Sequence, residues 1–302
     1  MHSSMNPGTL VSVVIPTHNR ARTLRRAIES VLGQGYQNLE LIVVDDASTD
    51  DTRAVLSSID DPRMRVITHE FNRGCAAARN TGAINAHGVY LAFQDSDDEW
   101  LADKLLKQVR AFTAAGENCV AAYCIKVVYG RDQFRKHSPR RVVCVPGPDE
   151  VELSGDLHRR LQYNNLISTQ TLVCSKSAYE QVGGFDEKLK NSIDYDFVSR
   201  LSEVGEFAFV DEPLVMTYIQ GDSISTLSRA GFYSQLTIAN KMKRRAVSRR
   251  ILAQKWAILG YGIGKNGFPR RGHVLLRAAI TESPLNHRFW LRYLVNRLRT
   301  LK

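Results

Sequence analysis

Residues 11–46 read VSVVIPTHNRARTLRRAIESVLGQGYQNLELIVVDD, and this stretch decides the fold class. VSVVIPT at 11–17 is a β-branched apolar run, the pattern of a buried strand. From about residue 22 the period changes. Leu24, Ala27, Ile28, Val31 and Leu32 recur at helical spacing, and Gly33 and Gly35 end that helix. Leu39 to Val44 is a second apolar run, and it stops abruptly at Asp45 and Asp46.

Outward from this unit the alternation continues. Ser48, with Asp51 three residues on, has the look of an N-cap for another helix. Residues 64–67 make a short third strand. Cys75 to Ala86 is an Ala-rich helix, which Gly82 weakens by about 1 kcal/mol relative to Ala. Val89 to Phe93 is a fourth strand, again stopping at acids: Asp95, Asp97 and Asp98. A helix follows with Leu101, Leu105, Val109 and Phe112 on one face. Such alternation predicts an α/β fold, a mostly parallel sheet flanked by helices. Ligands bind such sheets outside the carboxyl ends of the strands. Those ends carry Pro16-Thr17-His18-Asn19-Arg20, Asp45-Asp46 and Asp95-Ser96-Asp97-Asp98.

Beyond residue 115 the pattern is less regular. Residues 119–129 read as a strand and 130–156 as a loop or irregular hairpin. Asn164 to Val173 reads as a strand, and Ser175 to Val182 as a short helix broken by Gly183-Gly184. Phe197, Val198, Leu201 and Val204 mark a helix that Gly205 ends, and Phe207 to Val210 and Leu214 to Ile219 read as two short strands. After residue 228 come Lys/Arg-rich helices, interrupted between Gly260 and Pro269 and again at Pro284. The domain expectation is therefore residues 1–228 as one α/β domain and 229–302 as a basic helical C-terminal extension.

Composition excludes several classes. With 43% hydrophobic and 24% charged residues, the 302-residue chain is no disordered polymer, fibrous rod or polytopic membrane protein. No stretch of 18 uncharged apolar residues exists to span a bilayer, and MHSSMNPGT lacks the basic and apolar regions of a secretory signal. The five cysteines stand alone, with no CxxC, so neither a disulfide framework nor a zinc site is expected. A reducing, cytoplasmic setting follows as the expectation.

Charge is unevenly distributed. Residues 229–302 hold 17 Lys and Arg against a single acid, Glu282, whereas the rest of the chain is mildly acidic. Such a segment either solvates a helical face or meets the phosphates of lipid headgroups or nucleic acid. It lacks an aromatic-stacking module or a DNA-reading pattern, so no nucleic-acid partner is expected. In Asn286 to Lys302, Leu291, Leu294, Val295, Leu298 and Leu301 share one face with Trp290 at its edge, and Arg288, Arg292 and Arg299 lie on the other side. This is the pattern of an interfacial helix on an anionic membrane surface. The same face could instead pack onto the α/β domain or a second subunit.

The strand ends carry the chemistry. Three carboxylates within four residues repel one another, and oxygen-only ligands suit Mg²⁺ or Mn²⁺, usually shared with substrate phosphates. A solvated acidic turn capping the next helix is the alternative. Asp45-Asp46 could accept from a ribose hydroxyl or a base N–H, or could cap a helix. No GxGxxG follows the first strand and no GxxxxGK[ST] occurs, which disfavours a dinucleotide dehydrogenase and a P-loop NTPase. No GxSxG elbow supports a hydrolase. His18, His69 and His87 read as bystanders rather than zinc ligands.

In order, VVIPTHNR, LIVVDDASTD, NRGCAAARNTG, YLAFQDSDDEW, GGFDE and DYDF resemble the family 2 glycosyltransferases of the GT-A fold, over roughly residues 11–225. The resemblance implies a GT-A, Rossmann-like sheet. It implies a nucleotide-sugar donor, a UDP-sugar, and transfer of one sugar with inversion to a glycan or lipid-linked acceptor. It implies that Pro16, Thr17 and Arg20 line the nucleotide pocket, with Asp46 accepting from the base and Arg79, Asp95 and Ser96 near the donor. Asp95 and Asp97 form the DxD metal motif, extended by Asp98, for Mn²⁺ or Mg²⁺. Gly183, Gly184, Phe185 and Asp186 would form the turn shaping the acceptor side, and Asp194 would be the catalytic base. Two departures stand out. Ile193 replaces the first acid of the family's ED pair, which leaves Asp194 alone or assisted by Asp196. The segment Tyr218-Ile219-Gln220-Gly221-Asp222 lacks the His that many relatives carry. The QxxRW motif of processive members is also missing. A lipid-linked acceptor would put the enzyme peripherally on the inner face of the membrane. A non-catalytic nucleotide-sugar or glycan binding protein of the same fold is the alternative function.

Overall fold

The structure, a computed structural model, describes residues 8–131, 140–219, 234, 236–241, 248–265 and 267–299. The chain divides into two compact units: Met1–Leu161, Asn165–Lys188 and Ile193–Ser223 form the first, and Gln162–Asn164, Leu189–Ser192 and Ile224–Lys302 the second. The two short segments that join the second unit carry no compositional signal.

The first unit begins with the expected alternation: β1 (Val11–Thr17), α1 (Leu24–Leu32), β2 (Leu39–Asp45), α2 (Thr52–Ser57), β3 (Met64–Thr68), α3 (Cys75–Ile84) and β4 (Tyr90–Phe93). Then follow β5 (Glu99–Trp100), α4 (Lys104–Ala114), β6 (Cys119–Arg131), β7 (Arg140–Val145), α5 (His158–Tyr163), a 3₁₀ turn (Thr169–Thr171), β8 (Leu172–Ser175), α6 (Lys176–Gln181), α7 (Ile193–Leu201) and β9 (Glu206–Tyr218). The sheet order is β3-β2-β1-β4-β8-β6-β9-β5, with β7 added on β6. Strands β3, β2, β1 and β4 run parallel, as do β6 and β9, while β8 lies antiparallel between the two groups.

The uninterrupted apolar runs have a simple cause. Val14, Ile42, Val44, Leu91 and Phe93 point to one face, against the alanines of α3 and Phe197 of α7. Val11, Val13, Ile15, Leu41 and Val43 point to the other, against α1 and α4. Strands covered on both faces need apolar residues at every position. Gly82 also finds its reason here. A Cβ at that position would collide with Val14, so glycine lets α3 lie close on β1.

Several expectations are corrected. Asp51, not Ser48, precedes α2, and Ser48 Oγ instead accepts from the Asn19 N–H at 2.9 Å. Of the strand expected over Asn164 to Val173, only Leu172 and Val173 are strand, at the start of β8. The backbone just before them is drawn off by side chains: Trp100 Nε1 donates to the Gln170 carbonyl (3.0 Å) and Gln108 Nε2 to the Thr171 carbonyl (2.7 Å). The two strands expected between Phe207 and Ile219 are one long β9. It stays paired to β6 on both sides of Pro213, with the register shifting around Cys124–Lys126. Lys104, the first residue of α4, is fully buried. Its Nζ has no hydrogen-bond partner among the described residues and lies 3.7 Å from the Trp100 ring centroid.

Within the second unit, α8 (Arg249–Lys265), α9 (Pro269–Glu282) and α10 (His287–Arg299) pack together. Gly260 does not interrupt α8. It faces Gly272 of α9 so closely that a Cβ on either would meet the other's carbonyl oxygen. Gly264 lies against Asn296 of α10, which is fully buried and donates to the Pro269 carbonyl at 2.8 Å. Arg292 and Arg299 turn inward over the Tyr261 ring, at 5.8 and 4.9 Å, rather than forming a polar outer face.

Candidate active site

The first side of the site is the paired ends of β1 and β2. The Asp46 N–H donates to the Thr17 carbonyl (2.8 Å), holding the two ends together. The turn after β1 is tied to the segment after β2. Asn19 Oδ1 accepts from the Thr49 N–H (2.7 Å), and the Arg20 N–H donates to Thr52 Oγ1 (3.0 Å). Pro16 and Thr17 are buried at this end, and Thr17 Oγ1 has no partner among the described residues. A buried unpaired hydroxyl is the kind of group that ordered water or a ligand satisfies.

Asp46 is already engaged by the protein. Its carboxylate accepts from the Arg73 N–H (2.8 Å), the Gly74 N–H (2.7 Å) and His69 Nδ1 (2.7 Å). Burial would raise its pKa, but these donors more than reverse that and hold it below the usual carboxylate range. Three of the roughly four acceptor positions of a carboxylate are therefore used by the protein. Asp46 anchors the loop that leads into α3. His69 is no bystander, since its other ring nitrogen meets Thr81 Oγ1 at 2.9 Å.

The second side follows β4. Asp95 and Asp97 are both partly exposed, and arginines face both: Arg79 Nη2 donates to Asp95 Oδ1 at 2.5 Å, and Arg20 Nε lies 3.9 Å from Asp97 Oδ2. Arg26 holds the turn from α1 by donating to the Asp97 carbonyl (2.8 Å). Ser96 is buried in this turn. Asp98 is turned away from its two neighbours' opening. It is buried, and its Oδ2 accepts from Gln170 Nε2 (2.8 Å) and Thr217 Oγ1 (3.0 Å). Burial, then the charges of Asp95 and Asp97, push its pKa well above the usual carboxylate range. The assignment of Asp98 as a third metal ligand is thus corrected to a buried, hydrogen-bonded support of the turn.

Among the described residues no three His, Cys, Asp or Glu side chains converge as a ready ligand set. Two carboxylates nevertheless fit a hard divalent cation. Mg²⁺ usually takes one or two carboxylates and completes its shell with water and substrate phosphates. Asp95 and Asp97, partly open and adjacent in one turn, offer that donor set.

The third side is the first turn of α7, where Asp194 is half-buried. Its Oδ2 accepts from Asn165 Nδ2 (2.9 Å) and its Oδ1 from the Tyr195 N–H (2.8 Å). Burial raises its pKa above the usual value, against the opposing pull of Lys126, the Tyr195 N–H, Arg79 and Asn165. A carboxylate so raised is a stronger base than an ordinary Asp. Asp196 plays no such part. It is buried and takes both Arg200 Nε (3.0 Å) and Nη2 (2.7 Å) on one oxygen.

Arg79 joins these sides. The guanidinium is buried, which works against its charge, but Cys75, Asp95 and Asp194 together more than restore it. It sits 5.6 Å from the Phe185 ring centroid. Phe185 is itself buried among Phe93, Tyr179 and Phe197, so its ring supports Arg79 rather than facing an acceptor. Gly183 and Gly184 have φ of 76° and 64°, the left-handed region that favours glycine, and Asp186 Oδ1 accepts from the Lys188 N–H (2.9 Å).

Sequence reasoning missed Asn80 and Lys126. Asn80 Oδ1 accepts from Tyr179 Oη (2.6 Å) and the Phe185 N–H (2.9 Å), while its Nδ2 donates to the Phe185 carbonyl and Glu187 Oε1 (both 2.9 Å). It clamps the turn at Gly183–Glu187 onto α3. Lys126 donates to Ser168 Oγ (2.6 Å) and lowers the pKa of both Asp98 and Asp194. A lone charge in the apolar run CVAAYCIKVV was its one signal. Gln220, Gly221 and Asp222, in the segment where the resemblance leads one to expect a His, lie outside the described residues.

A mixed sheet with acids and arginines at its strand ends defines a class, and the comparisons agree. Over 95% of its length the chain superposes on 88% of S. aureus TarS 1-349 solved with UDP-GlcNAc, with a TM-score of 0.70 and 18% identity. The fold is GT-A. The family model Glycosyl transferase family 2 matches residues 12–181, and the chain belongs to that family. An uncharacterized glycosyltransferase of Rickettsia prowazekii (strain Madrid E) is 32% identical over 212 residues, covering 70% of this chain and 64% of that protein. The Escherichia coli UDP-Glc:alpha-D-GlcNAc-diphosphoundecaprenol beta-1,3-glucosyltransferase WfgD is 45% identical over 100 residues, which cover 33% of this chain and 40% of WfgD. The chain thus spans less than two thirds of the length of these relatives.

Proposed function

We propose that the protein transfers one sugar from a UDP-sugar to a hydroxyl of a glycan or lipid-linked acceptor in surface polysaccharide or glycolipid synthesis, with inversion and with a divalent cation. The observation that carries this reading is Arg79, which bonds Asp95 and feels Asp194, so that the DxD turn and the first turn of α7 share one electrostatic centre. WfgD, by its name, takes UDP-Glc to a diphosphoundecaprenol acceptor, which supports both the donor and the acceptor class, and TarS was solved with UDP-GlcNAc, which supports the donor class.

In this reading Asp95 and Asp97 hold Mg²⁺ or Mn²⁺, which when bound supplies positive charge against the donor diphosphate. Thr17 and Arg20 lie at the nucleotide end. Asp194 accepts the proton of the acceptor hydroxyl as that oxygen bonds to the anomeric carbon from the face opposite the leaving diphosphate. The bond from that carbon to the diphosphate oxygen breaks in the same step, which inverts the centre. Asn165 and the Tyr195 N–H orient the Asp194 carboxylate, and its raised pKa strengthens it as a base. Arg79 keeps a positive charge beside Asp95 through the cycle.

The test is a UDP-sugar screen with Mn²⁺, reading thermal shift and then release of nucleoside diphosphate with candidate acceptors. A donor at 100 times its Kd stabilises the fold by about 2.7 kcal/mol. Turnover should stop in EDTA and return with Mn²⁺, and Asp97→Ala should abolish it with the fold intact. Full activity in EDTA refutes the metal role. Donor binding without turnover across all acceptors makes the chain a non-catalytic nucleotide-sugar binding protein.

A further inference from the structure

We propose that the outer face of α10 docks the protein on an anionic lipid surface. The helix packs inward through Phe289, Asn296 and the stacked Arg292 and Arg299. Its other side is apolar and open to solvent: Leu291 is 62% exposed, Leu294 53%, Leu298 63% and Trp290 46%. Leu285, just before the helix, is 96% exposed. At 100° per residue Leu291, Leu294 and Leu298 form one stripe, with Arg288 on one flank and Trp290 and Arg297 on the other, both arginines exposed. Leu301, the expected end of the stripe, lies outside the described residues.

Three aligned leucines beside Trp290 form an exposed apolar patch of the kind that marks an interaction site. Charge selects the occupant. The 17 basic residues of 229–302 against one acid repel a second copy of the same segment and attract an anionic surface. The side chains also suit a bilayer interface. Leucines enter the acyl boundary, flanking arginines reach headgroup phosphates, and an indole lies at the junction. The Trp290 N–H is already bonded to the Pro284 carbonyl (2.8 Å), so the ring can enter an apolar layer without losing a hydrogen bond. At 13 residues, α10 is too short to span a bilayer, so its own contact is interfacial.

The 302-residue chain is mixed with vesicles of phosphatidylcholine alone or with phosphatidylglycerol, at low and high salt. Co-sedimentation should require phosphatidylglycerol and weaken with salt. Trp100 and Trp256 are buried, so a blue shift of tryptophan emission on binding reports Trp290. Leu291→Ser with Leu298→Ser should remove the blue shift and weaken binding by roughly tenfold or more. Arg288→Gln with Arg297→Gln should weaken it roughly thirtyfold, about 1 kcal/mol per arginine. Neither pair includes a residue assigned to the transfer site, so soluble-substrate turnover stays at the parent value, and the exposed leucine pair leaves thermal stability there too. Absence of binding to phosphatidylglycerol vesicles at low salt overturns the proposal, as does binding that both variants leave unchanged. A dimer in vesicle-free ultracentrifugation that the leucine variant splits into monomers also overturns it, assigning the face to a second copy. Sedimentation does not depend on sugar transfer, so its failure and that of the transfer reading are separate results.

Discussion

Replacing Lys104 by methionine should stabilise the protein at neutral pH by about 1–2 kcal/mol. The lysine is fully buried without a hydrogen-bond partner among the described residues, and burial pulls its pKa from 10.5 to about 8. At about 1.4 kcal/mol per pKa unit, keeping that charge inside costs about 3 kcal/mol relative to the unfolded chain. The Trp100 ring at 3.7 Å returns about 1–2 kcal/mol of this through cation–π attraction. Methionine keeps the length and volume without the charge. The unfolded chain holds the proton up to about pH 10.5, but the folded chain only up to about pH 8. Between those values the unfolded state binds more protons, so parent stability rises with pH. Below pH 8 the full penalty stands, and above 10.5 it is gone. Guanidinium unfolding of both proteins at pH 7 and pH 10 should therefore show a gain at pH 7 that shrinks at pH 10, with equal m-values. A less stable variant at pH 7, or a gain that ignores pH, refutes the reasoning.

Other perturbations read the site directly. Asn80→Ala strips three hydrogen bonds from the Gly183–Glu187 turn and one from Tyr179, and leaves a buried N–H and O–H unpaired, which should cost about 3 kcal/mol and depress transfer; denaturation and kinetics check it together. Asp194→Asn should lose transfer while a donor still shifts the melting temperature. The parent rate should fall as pH drops through the raised pKa of Asp194, where the base becomes protonated, so the acid limb of the rate profile should lie above the ordinary Asp value. Asp196→Asn breaks the pair with Arg200 instead, and should lower the melting temperature with kcat retained.

The first four strands and their helices were legible because each residue answers to one constraint. Strands buried on both faces must be apolar throughout, and they can turn polar only where the sheet ends. That is why Pro16, Thr17, Asp46 and Asp95 could be found by position. What the sequence concealed were residues whose conformation is decided by partners far along the chain. Thr169 to Thr171 look like strand, but Trp100 and Gln108 take their carbonyls. Asp98 looks like Asp97, but Gln170 and Thr217 turn it inward. Asp46 looks free to meet a ligand, but the Arg73 and Gly74 amides fold back on it. Gly260 and Gly264 look like helix breaks because spacing cannot distinguish a break from a contact.

The glycine contact between α8 and α9 bears on how hydrophobic content should be read in such an extension. Where Gly260 meets Gly272, main chain fills the interior that bulky side chains would otherwise occupy. At that crossing the two helices need no large side chain between them, and the leucines of α10, exposed on its outer side, take no part in the extension's own packing. They can then be altered, added or lost without unfolding the extension that carries them. Close backbone packing therefore separates two demands that usually compete for the same residues, self-assembly and adhesion, and leaves the outer surface of α10 free to vary with whatever it must adhere to.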